Sequence, residues 1–203
     1  GPPWWTSAPL LKVSITPRGP AALGYNQFLP RENALLSREQ MLDMMCMCLG
    51  GRVAEEIVFG RITTGASDDL DRVTKLAYSQ VTVYGFNERI GSISFQQSQG
   101  QEFNKPYSEA TAQMMDEEVR KLVAGAYERT RVLLKLHREK LDLVAETLLR
   151  QEMLVHDDMV RLVGPRPFEM GDTYREFVDT NHKWKSQTDA EAKAAAAAAA
   201  AAA

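Results

Sequence analysis

Ser37-Arg38-Glu39-Gln40 has the pattern of a capping box, a hydroxyl residue followed three positions later by a side chain able to reach back to its backbone N–H. The helix it opens is expected to run to about Val58. Met41, Leu42, Met44, Met45, Met47, Cys48 and Leu49 leave that helix apolar almost all round. A helix without a clear polar face belongs at the centre of a fold, with other elements packed about it. Gly50-Gly51 in its interior costs roughly 1 kcal/mol per glycine in helix propensity. A close helix or loop crossing at that point would account for the expense.

The stretch Thr63-Thr64-Gly65-Ala66-Ser67-Asp68-Asp69-Leu70 joins this helix to the next. Ser67 is a candidate N-cap, and Gly65 gives the approach loop backbone freedom. The two aspartates separate by phase. At about 100° per residue, Asp68 falls in line with Arg72, Lys75 and Ser79, a polar face. Asp69 falls in line with Val73 and Leu76, close to Ala77. An ionised carboxylate aimed at an apolar face is costly unless a cation or donors meet it. Asp68–Arg72 and Asp71–Lys75 are spaced as i,i+4 pairs, and acids in a first turn complement the helix dipole. Spacing alone leaves both a structural and a functional role open for Asp69.

Leu11 to Thr16 alternates, with Leu11, Val13 and Ile15 on one side, as a half-buried strand does. Leu23 to Leu29 is a second extended stretch, and the two suggest a small antiparallel pair near the N-terminus. Beyond Asp69, Leu70, Val73, Ala77, Val81 and Tyr84 form an apolar stripe that ends at Gly85. Ser92 to Phe95 is short and strand-like, and Gln96 to Lys105 reads as a polar surface loop. From the N-cap Ser108 a long helix carries Met115, Val119, Leu122, Val123, Ala126 and Leu133. It must break near Leu136 to Arg138, because another helix follows with Leu141, Val144, Ala145, Leu148 and Leu149. A short helix from about Asp157 to Val163 ends in Gly164-Pro165-Arg166-Pro167-Phe168. The expected fold is mainly α, a helical bundle with a small antiparallel β element.

The 203 residues, 44% apolar and 25% charged, suit one domain with a tail. With 24 basic against 27 acidic residues and no basic run, nucleic acid is not the expected partner. No apolar run reaches the roughly 20 residues that span a bilayer, so any membrane attachment would lie outside this chain. Cys46 and Cys48 sit two apart in a helical pattern and point to different sides, which suits buried thiols rather than a CxxC pair. His137 lies at a helix junction, His156 near a helix start and His182 in the polar tail. Solvated or capping roles are expected for all three. Glu55 and Glu56 read as surface charge, with Glu55 also a candidate acid standing behind a ligand. Gly1-Pro2 resembles the remnant of tag removal, and residues 194–203 are ten alanines, a tag or placeholder.

Leu49-Gly50-Gly51-Arg52-Val53-Ala54-Glu55-Glu56-Ile57-Val58-Phe59-Gly60 followed by Thr63 to Leu70 resembles the peptidase (M41-type) domain of the FtsH-type AAA+ zinc metalloproteases. The resemblance extends from about Leu11 to Phe168 and includes Val13-Ser14-Ile15-Thr16-Pro17-Arg18-Gly19 and Lys105-Pro106-Tyr107-Ser108-Glu109. Asp68-Asp69, Met45-Cys46-Met47 and Gly164 to Phe168 look more like the mitochondrial m-AAA branch than the bacterial one. The resemblance implies Zn2+ held by two histidines of an HExxH helix and by the aspartate matching Asp69. It also implies a glutamate of that motif as general base. Here no HExxH occurs. It would precede Trp4-Trp5 directly, where only Gly1-Pro2-Pro3 stands, so no catalytic residue is expected in this chain and the chain alone is expected to be inactive.

The expected organisation is a remnant at 1–10, a peptidase domain at 11–168, a polar tail at 169–193 and the alanine run. The resemblance further implies an ATPase module using ATP and Mg2+, a hexamer of identical or homologous subunits, and unfolded polypeptide substrates. It implies membrane attachment through preceding segments, with this domain facing the matrix at the mitochondrial inner membrane; the bacterial inner membrane is the alternative. A substrate strand would add to an open sheet edge, with Val13, Ser14, Ile15, Gly24 and Tyr25 as candidates. The alternative function is a proteolytically inert assembly subunit of the same kind of complex.

Overall fold

Ser37 caps the long helix as its sequence requires. Its hydroxyl accepts from the Gln40 N–H at 3.3 Å, and Gln40 Oε1 accepts from the Ser37 N–H at 2.9 Å. The computed structural model describes residues 9–16, 24–29, 35–95, 106–165 and 174–180. Within them run β1 (Leu10–Ser14), β2 (Tyr25–Phe28), α1 (Arg38–Phe59), a 3-10 turn (Thr64–Ala66), α2 (Ser67–Thr82), α3 (Glu109–Leu136), α4 (Arg138–Gln151), β3 (Met153–Val155) and α5 (His156–Val163). Residues 174–180 form a further helix, α6. The chain is mainly α with a small antiparallel sheet.

The core is the seam between α1, α2 and α3. Met45, Leu49 and Val53 of α1 meet Val73, Ala77 and Val81 of α2 and Met115, Val119 and Ala126 of α3. Gln80 lies buried in this seam, its amide donating toward Met45 Sδ at 3.2 Å and the Leu76 carbonyl at 3.4 Å. So α1 is central, as its composition demands. It is not buried all round, however: one stripe, Met41, Met45, Leu49 and Val53, goes under, and Met47 stays 43% exposed. Nor does any described element cross at the paired glycines. A Cβ at Gly50 or Gly51 would meet nothing within 4 Å, so close packing among the described residues does not explain them.

The sheet has the order β2-β1-β3, both pairings antiparallel. β3 was not legible as a strand in the sequence, being only three residues long. Its presence changes β1, which pairs on both sides: Val13 faces Asn26 on one side and Leu154 on the other. Burial in β1 does not alternate as its apolar pattern suggests. Ser14 is the buried residue, at 4% exposure, because its hydroxyl donates to the Glu152 carbonyl at 3.2 Å.

His156 opens α5 and is neither solvated nor a cap. Its Nδ1 lies 3.3 Å from the Leu10 carbonyl oxygen, and its Nε2 lies 3.0 Å from the Tyr174 hydroxyl. A carbonyl only accepts, so Nδ1 carries a proton, and in the neutral ring Nε2 then accepts from the tyrosine hydroxyl. The ring thereby ties β1, α5 and α6 together. Ser92 to Phe95 is not a strand, for it has no strand partner among the described residues; the Phe95 N–H bonds the Thr82 carbonyl at 2.7 Å and its ring stands edge-on to Tyr107. α3 ends at His137 as expected. The Gln96 to Lys105 loop, His182 and residues 166–168 lie outside the described residues.

Candidate metal-ligand site

Gly60 ends α1 in the left-handed conformation, at φ 65°, with its N–H on the Glu56 carbonyl. That conformation favours glycine, and it lets the chain turn so that residue 63 comes against α1. There Thr63 is held from both ends. Its N–H and its hydroxyl donate to the two oxygens of Glu55 at 3.0 and 2.9 Å, and Arg52 donates to its carbonyl at 3.1 Å. The Thr63 hydroxyl oxygen also accepts from the Gly65 N–H at 3.2 Å, capping the 3-10 turn.

Ser67 is therefore not the N-cap expected of it. It is the first residue of α2, the capping position is Ala66, and no side chain caps that end. Gly65 carries no left-handed backbone either; a Cβ there would stand 3.4 Å from Thr63 Oγ1.

The phase of the two aspartates is as the helical spacing requires. Asp68 is exposed with Arg72 and Lys75, whereas Asp69 is half-buried in line with buried Val73 and Ala77. Asp71 pairs with Lys75 at 2.6 Å, while Asp68 and Arg72 form no ion pair. Asp69 has neither a hydrogen bond nor an ion pair among the described residues. Its charge acts on Cys48 of α1, whose thiol is pushed up by burial first and by Asp69 second. Beside it an open cleft of about 450 Å³ is lined by Arg52, Ile62, Thr63, Thr64, Ser67 and Leu70.

Other candidates fall into structural places. Both Glu55 oxygens are taken by Thr63, and those bonds, the backbone one first, hold its carboxyl below the usual range. Glu56 accepts from the Tyr127 hydroxyl at 2.5 Å. Cys46 and Cys48 are free and only half-buried; Cys46 donates to the Ala126 carbonyl at 3.6 Å. Val13, Ser14 and Ile15 do not form an open edge, since β1 is paired on both sides and the Ile15 N–H bonds the Glu152 carbonyl at 3.0 Å. Gly24 is exposed but lies tight against β1: a Cβ on it would stand 2.6 Å from the Ser14 carbonyl oxygen. Tyr25 pairs with Ser14 on β2, which is an edge strand of the sheet.

Sequence reasoning singled out Asp69 but not Thr63 and Arg52, whose bonds tie the loop before α2 to α1. The available signal was Gly60, a helix-ending glycine whose turn brings residue 63 back against residues 52 and 55.

A half-buried carboxylate lacking any donor is chemically suited to a zinc ion, which accepts Asp oxygen as a ligand. It supplies one ligand only. Among the described residues no group of three His, Cys, Asp or Glu is assembled to hold a metal.

Residues 5–162 match the model of peptidase family M41. The chain is 56% identical over 173 residues to the mouse mitochondrial inner membrane m-AAA protease component AFG3L2, covering 84% of this chain and 21% of that protein. It is 53% identical over 165 residues to the ATP-dependent zinc metalloprotease FTSH 10, mitochondrial, of Arabidopsis thaliana, covering 81% and 20%. It is 52% identical over 164 residues to the ATP-dependent zinc metalloprotease FtsH of Rhodothermus marinus, covering 79% and 24%. The chain thus spans about a fifth to a quarter of the length of these relatives. With more than three quarters of its residues matched by one family model and half or more identical to each of these proteases over the aligned span, the chain belongs to peptidase family M41.

Proposed function

We propose that this chain is the part of an ATP-dependent zinc metalloendopeptidase that supplies the aspartate ligand to zinc, and that Asp69 is that ligand. The observation that carries the reading is the state of Asp69 itself. It is a half-buried carboxylate on the apolar phase of α2 without a hydrogen-bond or ion-pair partner among the described residues, in a domain of a metallopeptidase family. The remaining ligands and the general base come from residues these 203 do not contain. Bound zinc would supply Lewis-acid activation of water and of the scissile carbonyl.

The chain's own residues do the positioning. Asp69 offers a half-buried carboxylate beside an open cleft, and the Gly60 turn and Thr63 set its approach. Burial first and the Asp69 carboxylate second push the Cys48 thiol up. Glu55, its oxygens bonded to Thr63, serves the loop rather than the metal. β2, as the edge strand that includes Tyr25, is the place for an extended polypeptide to add by strand pairing.

The relatives' names support the wider setting: ATP-dependent enzymes, several of them mitochondrial and named as components of an inner membrane m-AAA protease. On that footing the full-length protein carries an ATPase module using ATP and Mg2+. It assembles as a hexamer and takes unfolded polypeptides from the ATPase ring. No helix among the described residues is long and apolar enough to cross a membrane, so attachment, with this domain on the matrix side, falls to other segments.

Asp69→Asn and Asp68→Asn test the assignment in the full-length protein. Asp69→Asn is expected to lower zinc content and proteolysis while leaving ATP hydrolysis largely intact, and Asp68→Asn to be mild in both. Equal loss from the two substitutions would remove Asp69 from the role. The 203-residue chain alone should bind zinc weakly, since one carboxylate is far short of a four-coordinate site.

A further inference from the structure

Thr63 is exposed, yet each of its polar groups has a protein partner. Water would satisfy the same groups at a surface, so the bonds are not needed to relieve buried polarity. Their effect is geometric. Arg52 and Glu55 lie three residues apart on α1, side by side on one face, and grip a single residue of the following loop from its carbonyl and its N–H ends.

We infer that Thr63, held by Arg52 and Glu55, is the positioning residue that sets the place of Asp69 relative to α1. The inference rests on the reading of Asp69 as a metal ligand. Between the two residues the chain is a 3-10 turn continued directly by α2, with no intervening loop. The first turn of a helix leaves N–H groups unpaired and tends to fray, and α2 lacks a side-chain cap. The only side-chain cap near its start is the Thr63 hydroxyl on the Gly65 N–H, one element earlier. Val73, Ala77 and Val81 anchor the body of α2 in the core. Ala66 is buried and Leu70 packs partly buried against the core, so they hold the apolar side of this turn, and the Thr63 contacts tie its polar side to α1.

The test uses the full-length protein, with zinc affinity measured by chelator competition and amide exchange followed over residues 64–70. Thr63→Val keeps the shape but removes the hydroxyl. It should weaken zinc binding by roughly 10-fold or more, as loss of groups supporting a ligand does, and speed exchange over 64–70. Thr63→Ser should restore both. Val119→Ala, a core truncation on α3 far from the loop in sequence, should lower Tm without changing zinc affinity, which separates positioning from general loss of stability. Should Thr63→Val fail to fold, Glu55→Ala, which removes both acceptors of the Thr63 N–H and hydroxyl, carries the same expectation. Unchanged zinc affinity in the Thr63 or Glu55 variant, alongside weakened affinity in Asp69→Asn, would overturn the positioning role and leave Asp69 a ligand. Unchanged affinity in Asp69→Asn would overturn both.

Discussion

Two glycine positions show how the surroundings of one Cβ decide the sign of a substitution. At Gly24 an added methyl would stand 2.6 Å from the Ser14 carbonyl oxygen, a backbone atom fixed by the sheet. Overpacking of that kind costs about 1–3 kcal/mol, so Gly24→Ala should lower the denaturant midpoint clearly. At Gly51 the methyl would meet nothing within 4 Å, in the interior of α1. Replacing a helical glycine with alanine is worth about 1 kcal/mol, so Gly51→Ala should raise the midpoint of the 203-residue chain. Equal, small effects at both positions would contradict the packing described for β1 and α1. The same residue-level reading separates Asp68 from Asp69, where one step of 100° is the difference between solvent and the α1 face.

Among elements, the segment after α2 is tied to α3 by charge. Asn87 donates to Glu118 at 2.9 Å, Arg89 reaches Glu117 at 2.7 Å and Glu118 at 3.3 Å, and Lys121 reaches Glu118 at 2.8 Å. The Lys121 bond first, then Asn87 and Arg89, holds the Glu118 carboxyl down at about 2 from an ordinary 4.5. A folded value below the unfolded one means stabilisation that is complete above 4.5 and fades as pH falls through about 2. Denaturant midpoints followed through that interval should therefore fall, and Glu118→Gln should flatten part of the fall. An unchanged slope in the variant would show that the Glu118 bonds, the one to Lys121 within α3 and those to Asn87 and Arg89 across to it, contribute nothing.

What the sequence revealed at this scale follows from how local each signal is. The Ser37 box, the α2 stripe from Leu70 to Val81 and the break at His137 depend on neighbours within a turn or two, and these stand in the structure; Tyr84, read as the end of that stripe, lies past α2 and is 53% exposed. β3 was invisible because three residues carry no periodicity, and its pairing with β1 spans some 140 positions. The open edge assigned to Val13, Ser14 and Ile15 failed for that same reason. The Thr63 contacts escaped because they depend on where Gly60 sends the chain, whereas the direction of Asp69 needed only helical phase.

For the molecule as a whole, the apolar surface left over bears on assembly. α3, 28 residues and about 42 Å long at 1.5 Å per residue, is covered by α1 and α2 along one side. Leu134 packs partly buried against the core, but Val132, Leu133 and Leu136 remain 57%, 45% and 75% exposed. α4 departs at His137 without covering them. In the hexamer proposed for the full-length protein, a neighbouring subunit is the occupant this stripe calls for. Burying a large apolar side chain is worth about 1.5–3 kcal/mol, so losing one from each interface should weaken association about 10-fold or more. Leu136→Glu combined with Val132→Glu is expected to shift sedimentation of the full-length protein toward smaller species at low concentration while Tm of the dissociated subunit holds. Leu134→Glu should instead lower that Tm, because it places a charge against the core. A double variant that sediments as the parent does across the dilution series would show that the stripe faces solvent in the assembly.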